Sequence, residues 1–303
     1  MVNDMRMLLF LLLTLFSLSS CSFGPDSSDG YSVYFVSAAC NYYQTRNQLS
    51  GTLCDQYWMD RQFSFLADCA GVEYHNVLLS QGKLDSSFTD ISGECFLTVD
   101  NVQKKIQQDS FSSELEAQLK NLAAAVSSDD ILIFHYSGHG LADGSLLLED
   151  KIYDADRLIS QLDSISCCKL ILLDCCYSAS NIDEEGSDSR TDFSSLFRPY
   201  ESKQTRAWYI AAAQKDQLSY SVTLDDSVTG SGNISFGLFS LNVLIRCGLD
   251  LGSNGIRPSL PQTGHLTFTW LVNELEKGLY YSGGLSQQFE ATDSVRDLVL
   301  FSF

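Results

Sequence analysis

Basic residues and prolines are scarce in this 303-residue sequence. Lys and Arg total 19 against 38 Asp and Glu, a formal net charge of −19. A surface this acidic repels phosphate backbones, which argues against nucleic acid as a partner. Proline occurs only 4 times beside 20 glycines, which excludes a collagen-like chain. No apolar run reaches the roughly 20 residues a bilayer-spanning helix needs. With 10 cysteines, the chain has too few for a scaffold held by disulfides alone. What is present is a 45% hydrophobic composition, enough to bury a full core and incompatible with a mainly disordered chain.

The first residues do not belong to the fold. Residues 7–18 (MLLFLLLTLFSL) form a short apolar run suited to the h-region of a secretory signal. Arg6 supplies a thin positive flank, which Asp4 weakens. The run ends in Leu18-Ser19-Ser20-Cys21, which resembles a bacterial lipobox, where the cysteine is lipidated and becomes the mature N-terminus. The expected organisation is therefore a signal peptide over 1–20, a tether over 21–30 and one domain over 31–303. The expected location is the periplasmic or surface side of a bacterial membrane, held through acyl chains at Cys21. Each buried methylene of such an anchor adds about 0.8 kcal/mol. Export permits disulfides. Besides Cys21 and one candidate nucleophile, Cys40, Cys54, Cys69, Cys95, Cys167, Cys168, Cys175 and Cys247 remain. The even number allows pairing, but connectivity cannot be read from spacing.

Downstream, strand and helix patterns alternate. Residues 31–39 (YSVYFVSAA), 73–79, 131–136 (ILIFHY), 169–173 (KLILL) and 207–213 predict strands. The near-continuous apolar runs among them suit parallel strands buried on both faces. Helical spacing predicts helices over 51–66, 99–106, 113–126, 154–162, 236–247 and 267–279, and 298–301 (LVLF) is expected to close the sheet. Such alternation argues for a doubly wound α/β layer, in which ligands bind beyond the carboxyl ends of the strands. The stretch 178–206 is Ser-rich, acidic and poor in apolar residues, as an exposed loop would be.

Two strand ends carry chemistry. The 131–136 strand runs into Ser137-Gly138-His139-Gly140, and the 169–173 strand into Asp174-Cys175-Cys176. A histidine and a cysteine just past neighbouring carboxyl ends face one crevice. A thiol nucleophile needs a base to become thiolate, and histidine is the usual one. The amides of Gly140 and Cys176 are candidate donors to a developing oxyanion. His135 and His139, four apart, would chelate zinc on a helix, but the flanking ILIF argues strand and no further ligand cluster follows. His135 is expected to be a strand residue with a satisfied ring. His75 and His265 carry no signal.

FHYSGHG and LILLDCCYSA resemble the histidine and cysteine motifs of the caspase-like peptidases, most closely the metacaspase and bacterial orthocaspase branch with its Asp-x-Cys. The segment 49–55 (LSGTLCD) resembles the metacaspase segment after the first strand, and 211–220 (AAAQKDQLSY) the segment bordering the substrate groove. The resemblance spans about 31–303. It implies a caspase-like three-layer α/β sandwich, a mostly parallel central sheet flanked by helices. It also implies a cysteine endopeptidase with Cys176, two after Asp174, as nucleophile and His139 as general base and acid. Asp55 and Asp174 would floor the S1 pocket, where two carboxylates attract Arg or Lys and repel Asp. The partners implied are protein or peptide substrates with basic residues.

The sequence departs from the family where Tyr177-Ser178-Ala179 replaces the usual His-Ser-Gly. The interval between the motifs, which binds calcium in relatives with longer inserts, is short here and has no EF-hand pattern. The dyad chemistry requires no cofactor. Should calcium bind, Asp154 and Asp156, in an interval that also holds Asp143, Glu149 and Asp150, and Asp183 beyond the cysteine motif are the candidate ligands. Arg190, Lys203 and Arg206 are candidate self-cleavage points in the loop after the nucleophile. The competing readings are a catalytically silent binding module on the cell envelope and a clan-related legumain- or clostripain-like hydrolase.

Overall fold

A computed structural model describes residues 30–43, 45, 47–82, 93–176, 206–213, 217–229, 232–252, 255–284, 287–292 and 297–303. The expected signal peptide, Cys21, Asp183, Arg190, Lys203 and the segment 177–179 lie outside the described residues. No described helix is long and apolar enough to cross a membrane.

The chain runs through β1 (Ser32–Ala39), α1 (Thr52–Ala70), β2 (Glu73–Gln81), β3 (Cys95–Val99), β4 (Val102–Ile106), α2 (Phe111–Ala125) and β5 (Ile131–Ser137). Three two-residue strands follow, β6 (His139–Gly140), β7 (Leu146–Leu147) and β8 (Ile152–Tyr153), then α3 (Ala155–Asp163), β9 (Cys168–Asp174) and β10 (Ala207–Ala211). The last part holds β11 (Ser221–Leu224), α4 (Asp226–Thr229), β12 (Ile234–Gly237), α5 (Leu238–Arg246), β13 (Asp250–Gly252), β14 (Gly255–Arg257), β15 (His265–Thr267), α6 (Phe268–Glu276), β16 (Glu290–Ala291) and β17 (Val299–Ser302).

Eight strands form the central sheet in the order β16-β10-β9-β5-β1-β2-β3-β4. The five from β10 to β2 are parallel, and antiparallel partners stand at both edges. This is the mixed α/β architecture with a mostly parallel sheet that the sequence implied. Every residue of β5 and β9 is buried, so both read as unbroken apolar runs rather than alternating ones.

The period of two sorts their side chains. Phe35, Ile131, Ile133, Leu170 and Leu172 face the α1 and α5 side, against Met59, Phe63 and Phe239. Val36, Leu132, Phe134, Tyr136 and Ile171 face the α2 and α3 side, against Phe111, Leu119 and Leu158. Each such large apolar side chain contributes about 1.5–3 kcal/mol through burial. The same parity continues into polar residues. His135 and Ser137 of β5 and Asp174 of β9 fall on the α1 and α5 side, whereas Cys175 falls on the other.

Three expected elements differ. Residues 99–106 are not a helix but part of a hairpin, β3 with β4, joined at Asp100 (φ 46°) and Asn101 (φ 65°). Two consecutive left-handed residues make the type I′ turn whose twist matches a hairpin, and Asp-Asn tolerates it. Residues 298–301 do not close the central sheet. β17 pairs with β15 in a separate two-stranded sheet, and β16 takes the edge beside β10. Helix α5 also starts later than expected, because 234–237 form β12.

Candidate active site

Strand register brings the two motifs to one level. Ser137 of β5 pairs with Asp174 of β9. The Gly138 amide then donates to the Asp174 carbonyl at 3.2 Å. His139 and Cys176 each stand two residues beyond these partners, and both line one groove with Asp55, Asp174, Ser137 and Gly237. Gly140 lies directly behind. A Cβ there would sit 2.1 Å from the Cys176 carbonyl oxygen and 3.0 Å from Cys175 Sγ, so only glycine permits this approach.

His139 is held from three sides. Its amide donates to Tyr42 Oη at 2.8 Å, its carbonyl accepts from Tyr136 Oη at 2.8 Å, and its ring stacks on Tyr42 with centroids 4.6 Å apart. Tyr42 Oη donates to the Leu147 carbonyl at 2.6 Å. The imidazole Nε2 lies 2.7 Å from the Asn47 carbonyl oxygen. A carbonyl only accepts, so Nε2 carries the proton and Nδ1 is left as the basic nitrogen. Tyr42 adopts φ 54°, an uncommon backbone state for a bulky residue. The Glu149 carboxylate secures it by accepting the Tyr42 amide at 3.1 Å. Burial pushes Glu149 up to about 7.

The two cysteines have separate surroundings. Cys175 is 2% exposed and packs on the α2 and α3 side, and burial holds its thiol well above the ordinary range. Cys176 is half-buried on the groove, with Sγ 3.9 Å from the Ser219 carbonyl oxygen. Burial raises its pKa, and the Asp174 charge raises it too. The thiol is thus the resting form, and forming thiolate requires a base. All nine described cysteines are free thiols.

Asp55 and Asp174 meet at the base of the groove, 0% and 4% exposed. Asp55 accepts from Ser137 Oγ at 2.7 Å and the Gly237 amide at 2.9 Å. Asp174 accepts from Ser219 Oγ at 2.7 Å and the Ser240 amide at 2.9 Å. Gly237 precedes α5 and offers no capping side chain. The two carboxylates take up amide hydrogens at that helix start, where the macrodipole favours anions. Burial raises both pKa values, and the Asp174 charge raises Asp55 further. Among the described residues no Lys, Arg or His pairs with either carboxylate. A Cβ on Gly237 would fall 2.1 Å from Asp174 Oδ2 and 3.0 Å from Asp55 Oδ2, so glycine keeps the space above the pair open.

The two described calcium candidates, Asp154 and Asp156, are not part of a cage among the described residues. Asp154 caps α3 by accepting the Arg157 amide, Asp156 lies in the first turn of that helix, and Asp183 is outside the described residues. No group of three or more metal-ligating side chains forms among the described residues. Of the candidate self-cleavage points, Arg206 is described, and it donates to the Ser128 carbonyl at 2.9 Å. Spacing could not point to Asn47, Ser219 or Ser240, which act through backbone atoms or hydroxyls distant in sequence. Tyr42 did leave a signal, an aromatic just past the first strand in CNYY.

The sequence model of the caspase domain matches residues 38–244, about two thirds of the chain. The chain belongs to the caspase-domain family. Among solved structures, this caspase domain is similar to caspase-1 of Spodoptera frugiperda, at 13% identity and a TM-score of 0.51, over 93% of this chain and 94% of that one. It is also similar to a protein of Geobacter sulfurreducens, at 14% identity and a TM-score of 0.48, over 86% and 93% of the two chains. At such identities the likeness concerns the fold. No curated protein matches this caspase domain by sequence.

Proposed function

We propose that this caspase domain is a cysteine endopeptidase of the metacaspase and orthocaspase type that cuts peptide bonds after Arg or Lys. The observation that carries the specificity is the pair of buried carboxylates, Asp55 and Asp174, with no described cation beside them. An incoming guanidinium supplies the missing charge and can be held bidentately. An Asp side chain would bring a further carboxylate against a pair whose charged forms burial already disfavours, and would be repelled.

In the reaction, His139 Nδ1 takes the Cys176 proton as Sγ attacks the scissile carbonyl carbon. The amides of Gly140 and Cys176 are the proposed donors to the resulting oxyanion. The C–N bond then breaks as the imidazolium returns its proton to the leaving amine, giving a thioester at Cys176. Water, deprotonated by His139, releases the acid and regenerates the thiol. The Asn47 carbonyl supports this role by fixing the tautomer and steadying the imidazolium. Calcium is given no step. The chain is further proposed to be exported and held at a bacterial membrane through acylated Cys21, with basic protein segments as its substrates.

P1 profiling of purified 22–303 tests the reading, with and without calcium. Peptides ending in Arg or Lys are cleaved and Asp peptides are not. Asp174→Asn lowers kcat/KM for Arg peptides about a hundredfold or more, since unpairing a buried charge costs about 2–5 kcal/mol. Preferential cleavage of Asp peptides would overturn the pocket assignment. No cleavage at all would favour the silent binding module.

A further inference from the structure

His135 has no part in the chemistry above. It lies in the middle of β5, wholly buried, with its ring against Phe35 at a centroid separation of 6.3 Å. Both ring nitrogens have partners. Nδ1 is 2.9 Å from Ser37 Oγ, and Nε2 is 3.2 Å from Ser240 Oγ. Burial drives its pKa down to about 3, so the ring is neutral, with one donor and one acceptor.

The direction of each bond follows from the group that cannot accept. The two protons of Gln56 Nε2 serve three acceptors, the Leu79 carbonyl at 2.9 Å and, through one shared proton, the Ser37 carbonyl at 3.1 Å and Ser37 Oγ at 3.2 Å. An amide nitrogen accepts nothing, so Ser37 Oγ receives that bond and turns its own proton towards His135 Nδ1. Nε2–H of His135 must then donate to Ser240 Oγ. The Ser240 hydroxyl has one proton left to direct, and it lies beside Asp174, which takes the Ser240 amide at 2.9 Å and whose carboxyl the hydroxyl helps hold down against the effect of burial. Every step runs one way, from Gln56 to the carboxylate.

We propose that Gln56, Ser37, His135 and Ser240 form a buried one-way donor relay that orients Asp174, making His135 a positioning residue for recognition of the basic side chain and not for bond cleavage. The part of this that concerns recognition rests on the S1 reading above. The relay explains why the histidine motif carries a second histidine on the face opposite Tyr136. A serine at the third position of α5 then serves the carboxylate through both its amide and its hydroxyl.

Two measurements test it on the 22–303 chain. In ¹⁵N spectra with labelled histidine, His135 is the Nε2–H neutral tautomer. Finding Nδ1–H there, or a protonated ring at neutral pH, overturns the relay whether or not any peptide is cut. In kinetics, Ser240→Ala raises KM for an Arg peptide about tenfold, as expected for losing a hydrogen bond to a charged group. It leaves kcat and the alkylation of Cys176 by iodoacetamide unchanged. Ser37→Ala, one step further back and on a different strand, gives a smaller rise in KM and guards against a folding defect in the first variant. Equal loss of kcat and KM performance, or no change in either, overturns the positioning role. A wild-type chain that cuts no basic peptide overturns the S1 reading instead, and the tautomer then decides the relay alone.

Discussion

His135 and His139 lie four residues apart on one strand and its extension, yet their surroundings have almost nothing in common. His135 is sealed between β1 and α5, has hydroxyl partners on both nitrogens and stays neutral. His139 lies on the groove, gripped mostly through its backbone by two tyrosines, with one ring nitrogen committed to a carbonyl. Cys175 and Cys176 repeat the contrast just past the end of β9, one in the core and the next on the rim. For the cysteines the strand's period of two separates core from groove; for the histidines, which share a parity, it is the end of β5, beyond which His139 stands clear of the sheet.

Removing the tyrosine grip should have the larger effect on this contrast. Tyr42→Phe keeps the stacked ring but leaves the His139 amide without its acceptor. Losing a buried hydrogen bond of this kind costs about 1–3 kcal/mol, so kcat on an Arg peptide falls about tenfold and thermal unfolding shifts to lower temperature. An unchanged kcat would mean that His139 is positioned by something other than the Tyr42 hydroxyl.

A smaller effect concerns pH. An unfolded histidine protonates near 6.5, whereas the buried His135 ring resists until about 3. Between those values the unfolded chain holds the extra proton, so stability falls as pH drops, by up to about 1.4 kcal/mol per unit. Asp55 and Asp174 act in the opposite sense. Their folded pKa values are raised, so they favour the folded state at low pH, and that contribution is lost as pH rises through the shifted range. Thermal unfolding of His135→Gln between about pH 4 and 7 should show a flatter acid limb than wild type. An equally steep limb in both would assign the slope to other groups.

Much of this arrangement was legible in the sequence. The buried strands announced themselves as ILIFHY and KLILL, because parallel strands covered on both faces need no alternation. The histidine and cysteine fall at their ends, and Asp55 and Asp174 line the same groove. The β3–β4 hairpin was misread because a short polar segment, VQKKI, fits a helical spacing as easily as an edge strand. Its decisive signal was the Asp100-Asn101 turn. The β17 partner was misplaced because LVLF says that a strand is buried and nothing about which strand it meets. The supports of the site stayed hidden for a physical reason. Asn47 acts through a carbonyl oxygen that every residue possesses, and Ser219 and Ser240 lie 45 and 66 positions from the carboxylate they serve.

The central claim is that a thiol and an imidazole at neighbouring strand ends act as one unit above an acidic pocket. Mass spectrometry of 22–303 after treatment with an acyloxymethyl ketone bearing Arg at P1 tests this most directly. A single adduct is expected on Cys176, greatly slowed in His139→Gln, absent in Cys176→Ala and retained in Cys175→Ala. An adduct on Cys175, or labelling of Cys176 indifferent to His139, would contradict it.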